Sequence, residues 1–180
     1  FQSIKKTLDF PKTSPIVQQN YIDFLAKTYR LSHNGDHGLE HWMRVLINGR
    51  LLAEGNGADI EVVEHFALLH DVMREDENLD LYHGPRAADF VKMIAGTWIR
   101  LNEHQLHQLM NACRYHSVGR LDRDVTIQTC WDADRLDLGR VGITPKSLYL
   151  GSNLAKDQNF VEMACMRSKK RFVDEDFYHG

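Results

Sequence analysis

The stretch DIEVVEHFALLHDVM, residues 59–73, places a His-Asp pair inside an otherwise apolar run. Asp59 is a residue type that caps helices, and the apolar residues behind it predict a helix from about Ile60 to Met73. Burying His70 and Asp71 in such a helix is costly unless they are paired or bound to a metal ion. Two interpretations are therefore open: a hydrogen-bonded pair that only stabilises packing, or a metal site.

Helical periodicity continues on both sides of this stretch. Asp36 is a predicted N-cap, the GNG turn at 55–57 is a strong stop signal, and Asn102 is a predicted cap. Further helices are predicted over about 16–30, 38–54, 84–99, 102–116, 125–138, 146–150 and 156–171. No hairpin or internal repeat interrupts them. We therefore predict an all-α bundle of six to eight helices.

Composition limits the class of partner. The 180 residues predict one domain, and a formal charge of −3 argues against strong attraction to duplex nucleic acid. The apolar stretches are too short to cross a bilayer, so no membrane partner is expected. Three cysteines without a CxxC spacing favour a reducing compartment, so the predicted location is cytoplasmic.

Three separate predicted helices carry residue types that bind metal ions. Their segments are HGLEHWMRV (37–45), LLHD (68–71) and WDADRLD (131–137). A divalent cation would neutralise buried carboxylates and accept imidazole nitrogens as ligands. The four candidate ligands in these segments are His41, His70, Asp71 and Asp134.

The order His…His-Asp…Asp, with these neighbours, resembles the signature of the HD superfamily of metal-dependent phosphohydrolases. The resemblance covers about residues 35–140. It implies a single HD domain over 1–180, an HD-domain helical bundle onto which the N-terminal helix (16–30) and the C-terminal helix (156–171) pack.

His83, at the start of a predicted helix, and His116, at the end of another, are similar to the extra ligands of binuclear superfamily members such as the HD-GYP phosphodiesterases. The resemblance implies a second metal position that these two residues complete, with Asp71 as the bridge. Alternatively, each is a helix-terminal cap or binds phosphate beside a single metal ion. The chain lacks the GYP motif, so hydrolysis of cyclic dinucleotides is not implied.

Three further residues are candidates for substrate binding. Arg74 stands where the HD-GYP branch has a phosphate-binding Lys, although it could instead be a solvated charge beside its acidic neighbours. His37 lies one helical turn before His41, where it could support a ligand, contact the substrate or simply face solvent at a helix start. Lys146 lies in the loop after the last-ligand helix. Arg44 and Arg135 are expected to be structural partners of nearby carboxylates. The histidines outside these motifs are expected at the surface or the core edge, and they are His33, His65, His104, His107 and His179.

The predicted function is hydrolysis of a phosphoester by metal-activated water, with Asp71 and Arg74 in catalytic roles. Mixed His and carboxylate ligands favour one or two ions of Mn, Fe, Co, Ni or Zn. The predicted partner is a small phosphorylated substrate, a class that includes nucleotides. The alternatives are a nucleoside polyphosphate pyrophosphohydrolase, a two-iron oxygenase, a structural-metal protein, and a non-catalytic ligand-binding or signalling module on the same fold.

Overall fold

The structure, a computed structural model, describes residues 16–170. These residues form eight α-helices and no β-strand, with one isolated bridge between Ala95 and Ile99. The helices are α1 (Gln19–Thr28), α2 (Leu39–Asn56), α3 (Ile60–Leu69), α4 (His83–Ile94), α5 (Glu103–Tyr115), α6 (Val125–Arg135), α7 (Asn153–Lys156) and α8 (Gln158–Lys169). The prediction of an all-α bundle is confirmed.

The central element is α2, whose residues from His41 to Arg50 are all buried. A helix that is buried on every side must be surrounded by other helices. Here α3 and α6 pack directly on α2, and α8 and the short α7 also contact it. A side chain at Gly49 would place its Cβ atom 2.5 Å from Val63, so this glycine allows α2 and α3 to approach closely.

Two tryptophans fill the core beside the predicted ligand segments. Trp42 and Trp131 are both fully buried. The indole nitrogen of Trp42 donates to the His37 carbonyl at 2.9 Å, and that of Trp131 donates to the Ala112 carbonyl at 3.0 Å. Each indole therefore buries its ring without leaving its N–H unpaired, and it also fixes the backbone near the ligand segments.

Capping side chains set most helix starts. Asp59 accepts from the backbone N–H groups of Glu61 and Val62, and Asn102 forms a capping box with Gln105. The predicted cap at Asp36 is wrong, because α2 begins after Gly38 without a side-chain cap. The Asp36 carbonyl instead accepts a hydrogen bond from Arg140 Nε at 2.7 Å.

Three helices end earlier than the sequence predicts. The α3 helix ends at Leu69 rather than Met73, where the His70 ring donates to the carbonyls of Phe66 and Ala67. The α4 helix ends at Ile94 rather than near residue 99, because Gly96 adopts a φ of 83°. The α6 helix ends at Arg135 rather than Leu138, and a 3₁₀ turn follows over Leu138–Val141.

The C-terminal helix is divided. Asp157 is extended, with ψ near 128°, and its side chain caps α8 by accepting from the Phe160 N–H. The chain therefore forms the short α7 before it and α8 after it, instead of one helix from residue 156. The short helix predicted near 146–150 is a 3₁₀ turn over Ser147–Tyr149. None of the described helices combines the length and apolar character that a membrane span requires.

Candidate metal centre

Six residues that the sequence marks as metal ligands meet at one place in the bundle. They come from α2, the end of α3, the start of α4, the end of α5 and α6. Four are almost completely buried histidines, and the acids Asp71 and Asp134 lie between them. The buried groups His41-His70-Asp71 and Asp71-His83-His116 could each hold a metal ion.

The first cluster, called position A, lies on the Oδ2 side of Asp71. Nε2 of His41 and Nε2 of His70 each lie 3.5 Å from this oxygen. Asp134 Oδ1 lies 3.4 Å from the His41 nitrogen and 3.7 Å from the His70 nitrogen. Position A therefore offers two imidazole nitrogens and two carboxylate oxygens.

The second cluster, called position B, lies on the Oδ1 side of Asp71. Nε2 of His83 and Nε2 of His116 each lie 3.5 Å from Oδ1. This oxygen is buried and has no hydrogen-bond partner among the described residues. A buried anionic oxygen without a donor is costly, and a cation at position B would satisfy it.

The four imidazole rings, although neighbouring rings are steeply inclined to one another, all turn Nδ1 outward and Nε2 toward the cluster. In three of the four histidines the outer nitrogen, Nδ1, donates to a backbone carbonyl. His70 donates to the carbonyls of Phe66 and Ala67, His83 donates to that of Asp80, and His116 donates to that of Cys113. In the fourth case Nδ1 of His41 lies 2.7 Å from an Asp137 carboxylate oxygen. Fixing the hydrogen on Nδ1 leaves each Nε2 with a lone pair that faces the cluster, which is the form that binds metal.

The inward nitrogens lie close together in pairs. Nε2 of His41 is 3.0 Å from Nε2 of His70, and Nε2 of His83 is 2.9 Å from Nε2 of His116. Two lone pairs at this distance repel each other unless a proton or a cation lies between them. Metal–ligand bonds of about 2.1 Å would separate neighbouring ligand atoms by about 3.0–3.4 Å, so the distances fit a cation as well as a proton.

The acids control the protonation of this centre. Burial and the charge of Arg140 lower the pKa of His41, but hydrogen bonds to Asp134, Asp137 and Asp71 outweigh them and raise it to about 9. Burial opposes the charged form of Asp71 too, but the surrounding histidines hold its pKa well below the usual range. The same negative potential that favours a proton on His41 attracts a divalent cation, and the two compete for Nε2.

The two histidines of position B differ in their affinity for a proton. Burial lowers the pKa of His116, yet its close contact with the Asp71 carboxylate raises it overall. Burial and the neighbouring His116 lower the pKa of His83 to about 4. His116 therefore binds a proton more readily than His83 does.

A carboxylate not assigned from the sequence supports position A from behind. Asp137 is fully buried, and its Oδ1 atom accepts from Arg44 Nε at 2.7 Å and from Ser168 Oγ at 2.6 Å. Its other oxygen faces His41. The expectation that Arg44 is a structural partner of a carboxylate is confirmed. The i, i+3 spacing of Asp134 and Asp137 on one short segment is the signal that could have pointed to this residue.

A pocket of about 300 Å³ opens onto the centre. The candidate substrate residues Arg74, His37 and Lys146 all line it. Arg74 is 6% exposed, so it is not a solvated charge, and Lys146 is exposed. His37 shares a 2.7 Å contact with Glu77, and burial lowers the pKa of His37. The roles of these three residues remain predictions.

Two side chains hold the loops that form the pocket wall. Arg135 donates to the carbonyls of Tyr149 and Arg120, at 2.7 and 2.8 Å, rather than to a carboxylate as expected. Asp132, also fully buried, accepts from the N–H groups of Gly151 and Ser152. The segment that carries Lys146 is thereby tied to α6, the helix that carries Asp134.

Within residues 16–170, none of the histidines outside the motifs lines the pocket at the centre. His33, His104 and His107 are exposed, as expected, and His179 lies outside the described residues. The expectation for His65 is wrong, because it is only 3% exposed and contacts the Tyr21 hydroxyl at 3.1 Å.

A comparison of the chain with protein-family models, curated proteins and solved structures finds no match.

Proposed function

We propose that this protein is a metal-dependent phosphohydrolase of the HD-domain type. The observation that carries the proposal is the arrangement around Asp71. Each of its two oxygens faces a pair of imidazole Nε2 atoms, and all four rings have Nδ1 turned outward onto an acceptor. A buried cluster that serves packing alone has no need of four rings that all turn Nε2 inward.

The residues fit a divalent transition metal. Imidazole together with carboxylate suits Mn, Fe, Co, Ni or Zn better than a site built from oxygen alone. His41, His70, Asp71 and Asp134 would hold an ion at position A, and His83, His116 and Asp71 would hold one at position B. When bound, such ions make water acidic enough to yield a nucleophile near neutral pH and withdraw electrons from a phosphoryl oxygen. Structural zinc sites favour cysteine ligands, and none occurs here.

The remaining residues of the pocket suit a phosphorylated ligand. Arg74 faces the pocket beside Asp71, and its planar guanidinium can donate two parallel hydrogen bonds to a phosphoryl group. Lys146 adds a positive charge at the exposed edge. Leu138 and Leu150 add apolar surface to its wall. The pocket is large enough for a small phosphoester, a class that includes nucleotides.

The test combines metal analysis with a substrate screen. The purified protein should contain a bound transition metal ion, or bind Mn²⁺ on addition, and should then release phosphate from one member of a phosphomonoester, phosphodiester and nucleotide panel. Asp71→Ala should lose metal and turnover together. Asp89→Ala is the control, because Asp89 is an exposed acid that pairs with Arg114 away from the centre.

The outcomes distinguish the alternatives. Release of pyrophosphate instead of phosphate would identify a nucleoside polyphosphate pyrophosphohydrolase. Metal binding without turnover on any substrate would favour the non-catalytic module. Wild-type turnover by the Asp71→Ala variant would disprove the assignment.

A further inference from the structure

We propose that Arg74 and a metal ion at position B exclude each other, so that an anion which draws Arg74 away promotes loading of position B. This inference rests on the proposed function and concerns the order in which its metal ions bind. Position A is then the site that binds a metal ion tightly, and the affinity of position B for a metal ion depends on whether the phosphorylated ligand is bound.

The first step is the contact between Arg74 and the second metal position. Arg74 Nη1 lies 3.2 Å from His83 Nε2 and 3.6 Å from Asp71 Oδ1. Nδ1 of His83 donates to the Asp80 carbonyl, so Nε2 is the acceptor. Arginine remains protonated in proteins and has no lone pair to offer. An N–H group of Arg74 therefore points at the nitrogen atom that an ion at position B would bind.

The second step is that Arg74 and a metal ion at position B cannot contact the same two atoms at the same time. A metal ion at position B would bind His83 Nε2 and Asp71 Oδ1, the two atoms that Arg74 contacts. The guanidinium and the ion would then be two positive charges within a few ångströms, at a place where only 6% of Arg74 is exposed to screening solvent. Arg74 must move before position B can fill.

The third step is the contrast with position A. Within residues 16–170, neither His41 Nε2 nor His70 Nε2 accepts a hydrogen bond from an arginine, and two acids face them. Position A thus combines two carboxylates and two imidazoles, and no guanidinium group in the described part of the chain contacts its ligand nitrogens. Position B has one carboxylate, two imidazoles and Arg74. We expect unequal affinities, with position A filled first.

The fourth step is the direction in which Arg74 can move. Arg74 lines the pocket, so its donors can reach an anion that enters there. An anionic phosphate oxygen is a stronger acceptor than a neutral imidazole nitrogen, and it can accept two N–H groups at once. Binding of phosphate therefore releases His83 Nε2. Because the coupling between two binding sites is reciprocal, phosphate raises the affinity for the second metal ion by the same factor by which that ion raises the affinity for phosphate.

The experiment measures Mn²⁺ binding rather than turnover. Free Mn²⁺ is followed by electron paramagnetic resonance while the whole protein is titrated, with and without inorganic phosphate. The wild type should show one tight and one weak class of site, and phosphate should tighten the weak class about tenfold or more. Arg74→Gln should tighten the weak class by a similar factor without phosphate, and phosphate should then add little.

Phosphate could also raise the affinity for Mn²⁺ by binding directly to the metal ion. That alternative predicts no rise in Mn²⁺ affinity in the Arg74→Gln variant when phosphate is absent, so this variant separates the two effects. Arg74→Lys keeps the charge and should behave like the wild type. Arg123→Gln removes an exposed arginine that does not line the pocket and should have no effect. Arg74→Met, of similar volume, is the second variant if Arg74→Gln does not fold.

Two results overturn the inference. If Arg74→Gln or Arg74→Met folds and binds the second Mn²⁺ no more tightly than the wild type, Arg74 does not compete with the metal, and the proposed function is unaffected. If no variant and no condition gives bound Mn²⁺, both the inference and the proposed function fail.

Discussion

Asp137 stands directly behind His41, with its Oδ2 atom 2.7 Å from His41 Nδ1. The carboxylate is fully buried, and the guanidinium of Arg44 and the hydroxyl of Ser168 hold its other oxygen. Among the groups within the described residues that contact the Nδ1 atoms of the four histidines, only Asp137 carries a charge; the others are backbone carbonyls. Asp137 is therefore a positioning residue that orients His41 and makes its inward nitrogen more basic.

Replacing Asp137 by Asn should weaken metal binding at position A by about 10–100-fold, because a neutral amide supports the ring less strongly. Equilibrium dialysis against Mn²⁺ or Zn²⁺ measures the change. Ser168→Ala, which removes one donor to Asp137 but leaves its contact with His41, should have a much smaller effect. Equal affinity in Asp137→Asn and the wild type would show that the pair is only structural.

We expect two histidine variants each to remove one of the two metal positions and leave the other. His70→Gln removes a ligand from position A, and His116→Gln removes one from position B, while Asp71 remains in both. The stoichiometry measured by Mn²⁺ titration in the presence of inorganic phosphate should fall from two ions to one in each case, and only His70→Gln should lose the tight class. His107→Gln, on an exposed part of α5, is the control. Complete loss of metal in both variants would instead indicate a single ion.

Acid should destabilise the fold through His65, away from the metal centre. Burial lowers the pKa of His65 to about 4, whereas an unfolded histidine titrates near 6.5. Between these values the unfolded chain takes up a proton that the folded protein does not. This group should therefore cost about 2 kcal/mol of the free energy of unfolding when the pH falls from 7 to 5.

Urea titrations at both pH values, with a chelator present, test this expectation. His65→Gln should lose less stability than the wild type over that interval, by about the same 2 kcal/mol. His107→Gln should follow the wild type. Equal losses in all three proteins would mean that His65 titrates normally in the folded state.

Gly84→Ala should destabilise the protein and weaken position B. A Cβ atom at Gly84 would lie 2.7 Å from the Arg114 carbonyl and 2.8 Å from the Cys113 carbonyl. Backbone cannot yield as a side chain does, so α4 must shift from α5, at a cost of about 1–3 kcal/mol. Because these helices carry His83 and His116, the second Mn²⁺ should also bind less tightly.

Chemical denaturation and Mn²⁺ titration of the same sample measure both effects. Gly55→Ala is the matched control, since its Cβ atom would meet only the end of the flexible Leu154 side chain at 2.9 Å. That variant should keep wild-type metal binding. An unchanged stability of Gly84→Ala would show that α4 and α5 have more freedom than their contact indicates.

The helices were predictable where the signal is local. Asp59 and Asn102 act through hydrogen bonds to residues two or three positions ahead, so their capping roles could be deduced from neighbouring sequence. The end of α3 could not. There the imidazole of His70 donates a hydrogen bond to the Ala67 carbonyl. Hydrophobic periodicity gives no information about the side-chain rotamer that makes this bond possible.

The sequence by itself determined the helical class and which residue types were available to bind metal, because apolar spacing, caps and motif composition are properties of short segments. The tertiary structure decided how these residues combine. Asp137 is 96 positions from His41, and only packing of α2 on α6 brings the two together. Packing likewise divides the oxygens of Asp71 between two pairs of imidazoles and presses Arg74 against His83, since contacts between distant segments depend on how the helices pack.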